Sequence, residues 1–175
     1  SIIQGITFRN GKSDSWPDAG SIHISNSTNI QFIDCVWKNN SSSNGSGAGG
    51  GAIHIRYKAT PSFDLCVFDS NFVSVNNTST SGGAISIAFP ENKQDLESVI
   101  KITRSKFLNN YVQAYYTARG GAISSQRNID ITNTLFVNNG AMGNWEYSDG
   151  GQPSVGGAIS LDHYYSNDEG TANII

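Results

Sequence analysis

Carboxylates are the first groups in this chain that could do chemistry, because glycan-cleaving enzymes use converging carboxylates as acid and base or as Ca²⁺ ligands. Four aspartates lie in short apolar stretches: Asp34, Asp64, Asp69 and Asp130. Asp34, Asp64 and Asp130 precede the next aromatic of a recurring pattern by three, four and six residues, so they do not share one repeat position. Lys101 and Arg104 could approach Asp130, but a solvated charge pair is the simpler interpretation. We therefore predict no catalytic residue and no enzyme activity.

Histidines are the second group of candidates. His23 and His54 each stand in the middle of an Ile-His-Ile triplet, at the same position of two successive repeats. A transition-metal site needs three or four ligands, and the sequence offers no third ligand beside them. His163 lies in a loop with Asp162 and Asp168 and has no further support. The sequence therefore predicts neither a metal nor a cofactor.

Cys35 and Cys66 are too few to form a disulfide framework for a chain of 175 residues. Both stand two residues before an aromatic in successive repeats, which would place one above the other. A disulfide is one interpretation. Side chains in register point the same way, however, so the favoured interpretation is two free buried thiols that act as small apolar groups.

Repeats are the elements that would position all of these groups. The tetrapeptide Gly-Gly-Ala-Ile occurs at 50–53, 82–85, 120–123 and 156–159, and a worn copy, Ala-Gly-Ser-Ile, stands at 19–22. It alternates with a second motif, aromatic-x-x-Asn, at 37–40, 68–71, 107–110 and 136–139, whose degenerate first copy is "FRNG" at 8–11. Apolar residues alternate between the motifs, which is typical of short strands.

A repeat of this length with two or three short strands cannot bury its own apolar face, so copies must stack. We predict an all-β, right-handed parallel β-helix of about five coils, rising about 24 Å at about 4.8 Å per coil. Ile85 and Ile87 should point into the bore and Ser86 outward. The paired glycines should form one corner: Gly50, Gly51, Gly82, Gly83, Gly120, Gly121, Gly156 and Gly157. The motif asparagines should form another corner, take left-handed backbone geometry and ladder along the stack: Asn40, Asn71, Asn110 and Asn139.

The alternation of Gly-Gly-Ala-Ile with Phe-x-x-Asn covers essentially the whole chain. It resembles the repeat pair of the polymorphic outer-membrane proteins, the chlamydial autotransporter family, and similar repeats in other bacteria and in protist and algal surface proteins. The resemblance implies a surface-displayed β-helix that mediates adhesion to host cells. Three features depart from the pattern: Trp37 replaces the usual Phe, and the first repeat reads "FRNG" and "AGSI".

The chain begins with "SIIQGITF" and stops with "TANII", which are both strand-like. We therefore expect residues 1–175 to be a single solenoid segment, truncated at both ends. Further coils of the same or a neighbouring chain are then expected partners. The formal net charge of -3 and a charged content of 14% argue against nucleic-acid binding. No apolar run is long enough to cross a bilayer.

Sequons support an extracellular or cell-surface location. The candidate glycosylation sites are Asn26, Asn44, Asn76 and Asn77. Loops that follow the aromatic motif carry exposed aromatics, which suit sugar stacking or a protein contact, although they could equally cap an enlarged loop. These candidate ligand-binding residues are Tyr111, Tyr115, Tyr116, Trp145 and Tyr147.

Three functions stay open at this stage. The leading one is an extracellular structural or adhesive β-helix whose loops bind a host-cell or matrix protein or a glycan. The first alternative is a carbohydrate-binding or carbohydrate-cleaving β-helix of the lyase or hydrolase kind. The second alternative is a repeat of an extracellular filament or matrix protein, because an uncapped solenoid exposes unpaired strands and an apolar bore.

Overall fold

The prediction of a parallel β-helix is confirmed. The computed structural model describes residues 1–14, 19–43, 49–88, 99–144, 154–161 and 172–174, and these contain strands and turns but no helix. Every strand pair is parallel, and each strand pairs with the equivalent strand of the repeat before or after it. Four sheets run the length of the stack, and we number them walls 1 to 4 in chain order.

Wall 1 contains β1 (Ile2–Gln4), β5 (Thr28–Ile33), β9 (Thr60–Asp64), β14 (Ile100–Thr103), β19 (Ile129–Thr132) and β24 (Ala172–Ile174). Wall 2 contains β2 (Thr7–Arg9), β6 (Val36–Lys38), β10 (Val67–Asp69), β15 (Lys106–Leu108) and β20 (Leu135–Val137). Wall 3 contains β3 (Lys12–Ser13), β7 (Ser41–Ser42), β11 (Phe72–Ser74), β16 (Tyr111–Ala114) and β21 (Gly140–Gly143). Wall 4 contains β4 (Ile22–Ser25), β8 (Ile53–Arg56), β13 (Ile85–Ile87), β18 (Ile123–Ser125) and β23 (Ile159–Leu161). A small sheet between walls 3 and 4 contains β12 (Thr80–Ser81), β17 (Ala118–Arg119) and β22 (Ser154–Val155).

A coil therefore has four or five strands, and the expectation of two or three was wrong. The stretch of alternating apolar residues before each aromatic motif contains a corner between walls 1 and 2. At this corner one residue takes a positive φ of 47 to 66°. These residues are Gly5, Asp34, Leu65, Arg104 and Asn133. Three of the five are neither Gly nor Asn, so turn chemistry gives little signal for this corner, and walls 1 and 2 look like one strand in the sequence.

Aromatic rings fill the bore behind wall 2. Five rings stack face to face, with centroids 4.6 to 5.1 Å apart: Phe8, Trp37, Phe68, Phe107 and Phe136. Phe32 and Phe63 form a second stack, 5.3 Å apart, and meet Trp37 edge to face. Each such ring pair adds about 0.5–1.5 kcal/mol beyond area burial. The Trp37 ring is fully buried and its Nε1 finds no hydrogen-bond partner, so the larger ring carries a polar cost.

The motif asparagines form a continuous hydrogen-bonded ladder next to this stack. Asn71 donates from Nδ2 to the Trp37 carbonyl (3.0 Å) and to Asn110 Oδ1 (3.0 Å), and its backbone N–H donates to the same Oδ1 (3.0 Å). Its own Oδ1 accepts from the backbone N–H and Nδ2 of Asn40. Asn110 repeats the pattern with Asn139. In the degenerate first repeat, Gly11 keeps only the backbone donor, to Asn40 Oδ1 (2.9 Å).

The left-handed geometry expected at the motif asparagines lies one residue earlier. Positive φ values of 54 to 58° occur at Asn10, Asn39, Ser70, Asn109 and Asn138. The reason is that the ladder side chain must point inward to reach the neighbouring coils. The residue before it is at the surface or half-buried, so it can make the turn.

The two glycines of each Gly-Gly-Ala-Ile motif serve different needs. Gly82 has a φ of +68°, and a Cβ there would lie 2.3 Å from the Ile85 carbonyl oxygen. Gly83 has no such φ, but a Cβ on it would lie 2.0 Å from the Gly121 oxygen of the next coil. The worn repeat fits this division: Ala19 takes no positive φ, whereas a Cβ on Gly20 would lie 2.2 Å from the Gly51 oxygen of the next coil.

A second, smaller core joins wall 3 to the small sheet. It is built by Val73, Val75, Val112, Ala114 and Ala118, which lie on wall 3, beside it and on the small sheet. The small sheet lies against the column of wall 4 that contains Ser86, whose hydroxyl oxygen is 3.3 Å from that of Ser81 in β12. His23, at the end of this column, is exposed. The other residues of the column are only 2 to 6% exposed: His54, Ser86, Ser124 and Ser160.

Replacing Asn71 with Ala tests the ladder. The substitution removes both the donor and the acceptor of a fully buried side-chain amide. The Trp37 carbonyl and the Asn110 Oδ1 each lose the donor that Asn71 Nδ2 supplies. Each unsatisfied buried polar group costs about 1–3 kcal/mol, so we expect chemical denaturation to show at least about 2 kcal/mol lost. Asn77→Ala, at an exposed loop position, is the control and should change stability by about 0.5 kcal/mol or less. Equal effects would contradict the ladder.

Replacing Gly83 with Ala tests the close approach of coils. The added methyl would overlap the Gly121 carbonyl oxygen, so we expect a large drop in thermal midpoint or failure to fold. Gly5→Ala is the matched control, because Gly5 has a φ of +66° but open space around a Cβ. It should cost only the backbone strain, about 1 kcal/mol. A Gly83→Ala protein as stable as Gly5→Ala would refute the steric argument.

Candidate functional site

The aspartates do not converge on one site. Asp64 accepts a bidentate contact from Arg104, with Nε to Oδ1 at 2.9 Å and Nη2 to Oδ2, and a bond from the Thr103 hydroxyl at 2.8 Å. The hydrogen bond from Arg104 is the main reason that the pKa of Asp64 lies below its ordinary value of 3.8. On wall 2, Lys38 Nζ lies 2.8 Å from Asp69 Oδ2, and this contact lowers the pKa of Asp69 in the same way.

Asp130 lies opposite Lys101 in the register of wall 1, yet the two make no ion pair within the described chain. The Asp130 carboxylate accepts a hydrogen bond from the Thr132 hydroxyl at 3.3 Å. Arg104, which we placed near Asp130 as an alternative, contacts Asp64 instead. Asp64, Asp69 and Asp130 thus each have a local partner of their own. This arrangement suits charge pairing on a surface rather than a shared proton or a bound Ca²⁺.

His23 and His54 stack in neighbouring coils of wall 4, with ring centroids 5.4 Å apart. His54 is buried beneath Gly49: a Cβ on that glycine would lie 3.1 Å from its Nε2. Within the described ranges, no group of three or more His, Cys, Asp or Glu side chains could hold a metal. His163, Asp162 and Asp168 lie outside the described residues.

Cys35 and Cys66 are free and fully buried. Each thiol lies 3.4 Å from the carbonyl oxygen two residues before it, Ile33 and Asp64 respectively. Burial raises the pKa of Cys66 to about 12, so its thiol stays protonated at neutral pH. Ser105 occupies the same position in the next coil, and its hydroxyl donates to the Thr103 carbonyl. The cysteines therefore act as corner residues.

The candidate aromatics fall into two separate places. Tyr115 and Tyr116 lie in the turn between β16 and β17 and meet edge to face, with centroids 4.8 Å apart. Tyr111 lies on the outer face of wall 3 and stacks on Phe72 at 5.9 Å. No ring contact within the described chain joins Tyr111 to the Tyr115–Tyr116 pair. Trp145 and Tyr147 lie outside the described residues.

The Tyr115–Tyr116 turn lies directly beside the equivalent turn of the preceding coil. The Tyr116 N–H donates to the Thr78 carbonyl at 3.3 Å, and the Thr117 N–H donates to Ser79 Oγ at 3.2 Å. We call residues 75–79 and 115–117 the loop edge. Tyr116 is 39% exposed, so its ring can contact a ligand.

Three of the candidate glycosylation sites are exposed. Asn76 and Asn77 lie on the loop edge, and Asn26 follows wall 4 with a φ of 53°. Asn44 lies outside the described residues. Exposed amides of this kind are accessible to a glycosyltransferase.

Sequence reasoning missed two residues. Phe72 directly follows a ladder asparagine, and only the register with Tyr111 reveals its place on wall 3. Arg127 is 1% exposed and donates from Nη1 to the carbonyls of Tyr57 (3.0 Å) and Ala59 (2.8 Å), two coils away. Arginine is almost never fully buried unless it has partners. The partners of Arg127 are backbone carbonyls of a distant coil, and the sequence pattern gives no sign of them.

A scan against protein-family models and searches of curated proteins and of solved structures found no match to this chain. Among the residues that the structure describes, no helix is long and apolar enough to cross a membrane.

The Asp64–Arg104 pair predicts a pH-dependent coupling. Because the folded pKa of Asp64 is lowered, the pair stabilises the fold above the unfolded value of 3.8 and loses this effect as the pH falls through the folded value. A double-mutant cycle with Asp64→Asn and Arg104→Gln should give a favourable coupling free energy near about pH 7 that disappears near about pH 2. The coupling should be small, because the pair is partly solvated.

The Lys38–Asp69 pair is unchanged in the parent, the two single variants and the double variant. Its own pH dependence therefore cancels from the coupling free energy. A coupling free energy that is the same at both pH values would show that the pair does not hold the Asp64 carboxylate in its charged form.

Proposed function

We propose that this chain is part of an extracellular, surface-displayed β-helix that acts as a rigid scaffold and presents variable loops for binding to cells, glycans or neighbouring chains. The observation that carries this proposal is the contrast between interior and edge. The interior repeats the same ladder and ring stack in every full coil, whereas the loop edge differs from coil to coil.

Rigidity is supported by the way that the coils are joined. Asn40, Asn71 and Asn110 each bond to the coil before and the coil after. The bore rings Trp37, Phe68 and Phe107 each stack on the ring before and the ring after. In a solenoid, such nearest-neighbour contacts set the stability of the whole array. An extended and stiff body of this kind suits display at a distance from its attachment.

Recognition is supported by the loop edge. Tyr115 and Tyr116 present two rings at right angles on a turn that carries no repeated interior residue. Tyrosine combines an apolar ring with a hydroxyl and is frequent in binding surfaces, where it stacks on sugars or fills a pocket of a partner. The exposed sequons Asn76 and Asn77 lie on the neighbouring turn, consistent with an extracellular surface.

Replacing both Tyr115 and Tyr116 with Ala tests the proposed binding edge. We expect the purified chain to bind at least one glycan of a glycan array or one immobilised matrix glycoprotein, and the double variant to lose this binding at least about tenfold. Its thermal melt should stay nearly unchanged, because neither ring belongs to the core clusters. Tyr57→Asn is the control and should leave binding unchanged, because Tyr57 lies at the corner between walls 4 and 1. Its φ of 56° is one that Asn adopts readily, so the substitution should not strain the backbone.

Binding that survives the double substitution would remove the loop edge as the site. Chromatography of the same incubations reports cleavage products, and their appearance would favour a carbohydrate-active enzyme over an adhesive scaffold. Filaments of the purified chain in negative-stain images would favour the matrix or filament alternative.

A further inference from the structure

A groove of about 290 Å³ crosses the outer face of wall 1, on the strands β5, β9 and β14. This volume lies near the lower limit of small-molecule sites. Its polar lining consists of amide, hydroxyl and amine groups: Asn29, Gln31, Thr60, Ser62 and Lys101. The groove lies on a different wall from the loop edge.

The groove coincides with a break in the register of wall 1. Thr28 pairs with Thr60 and Gln31 pairs with Ser62, so Asn29 and Ile30 together oppose the single residue Pro61. Proline lacks a backbone N–H and cannot complete the ladder, and the extra residue on β5 is a β-bulge. Asn29 has a φ of +62° at this bulge. Bulges redirect side chains and are over-represented at sheet edges and next to active sites.

Beyond the bulge, three side chains form one outward column. Gln31, Ser62 and Lys101 are register partners in successive coils. The short Ser62 side chain lies between two long ones, which leaves a depression about 10 Å across three strands. Such a span suits a short oligosaccharide lying along the stack.

The polar groups of the groove are free to bind a ligand. Within the part of the chain that the structure describes, the side chains of Asn29, Gln31 and Thr60 make no hydrogen bond, and Ser62 and Lys101 likewise lack a hydrogen bond or an ion pair. Asp64 and Arg104, nearby on the same face, bond to each other.

We propose that this groove binds a saccharide that carries a carboxylate or sulfate group. Amide and hydroxyl side chains can donate to and accept from sugar hydroxyls, and among the described residues Lys101 is the only charged one in the lining. Its ammonium group would pair with the acidic group of the sugar. Asp130 lies opposite Lys101 in the next coil and would repel an anion on that side. The carboxylate or sulfate of the sugar would therefore lie on the other side of Lys101, towards Ser62 and Gln31.

Calorimetric titration with oligogalacturonides and with heparin-derived oligosaccharides tests the proposal, with neutral cello- and manno-oligosaccharides alongside. We expect at least one acidic series to bind, more weakly as salt rises, and the neutral series to bind at least about tenfold more weakly. Lys101→Gln should weaken acidic binding at least about tenfold, and Gln31→Ala with Ser62→Ala should do the same.

Two substitutions on wall 3 are matched controls. Lys12→Gln removes an exposed strand lysine and Gln113→Ala removes an exposed strand amide, and both should leave the dissociation constant unchanged. Far-ultraviolet circular dichroism should show that all variants fold as the parent does. The Tyr115 and Tyr116 substitutions should also leave this binding unchanged, so failure at the loop edge and failure at the groove are told apart.

The proposal is overturned if no acidic saccharide binds. It is also overturned if neutral sugars bind as tightly and Lys101→Gln has no effect, or if the wall 3 controls weaken binding as much as the groove variants.

Discussion

Stacking of one coil on the next, in register, is the constraint on which every other feature depends. Without its neighbours, a coil has no ring to stack on its bore ring and no partner for the side-chain hydrogen bonds of its ladder asparagine. The next coil supplies both, because Phe68 meets Phe107 at 4.6 Å and Asn71 meets Asn110 at 3.0 Å across the same step. Ring stacking and amide pairing both match the spacing of neighbouring parallel strands, about 4.8 Å. The two interactions therefore reinforce one register.

This constraint separates the residues that must repeat from those that are free to vary. Interior rings, ladder asparagines and the second glycine of each motif meet their own counterparts in the neighbouring coil, so a change at one position affects two interfaces. The outer face of wall 4 is also withdrawn from solvent, because the small sheet lies over it and buries Ser86 against Ser81 (3.3 Å between hydroxyls). The outer faces of the other walls and the loop edge are therefore the surfaces that the two binding proposals use.

The two proposed binding surfaces use different chemistry. The loop edge offers aromatic rings on a turn, where length and sequence vary without disturbing the stack. The groove on wall 1 offers amides, hydroxyls and one amine on strands, which are more rigid than a turn. It lies at Pro61, which stands where the next two coils have Ile100 and Ile129, and at the bulge in the facing strand β5. Departures from a repeat thus mark places where the surface differs from coil to coil.

The sequence by itself determined the β-helix, because Gly-Gly-Ala-Ile and aromatic-x-x-Asn report local needs: a tight corner, a ring in the bore and an amide beside it. It also placed Cys35 and Cys66 in the interior, since their position repeats relative to the aromatic. Only the tertiary structure decided that left-handed geometry falls at Asn39 rather than Asn40, that Leu65 makes a corner, and that His54 and Ser86 are covered. It alone paired Asp64 with Arg104, separated Tyr111 from Tyr116 and buried Arg127. The physical reason is that these outcomes depend on which residues of different coils meet, and unequal loop lengths between the motifs hide that register from any local pattern.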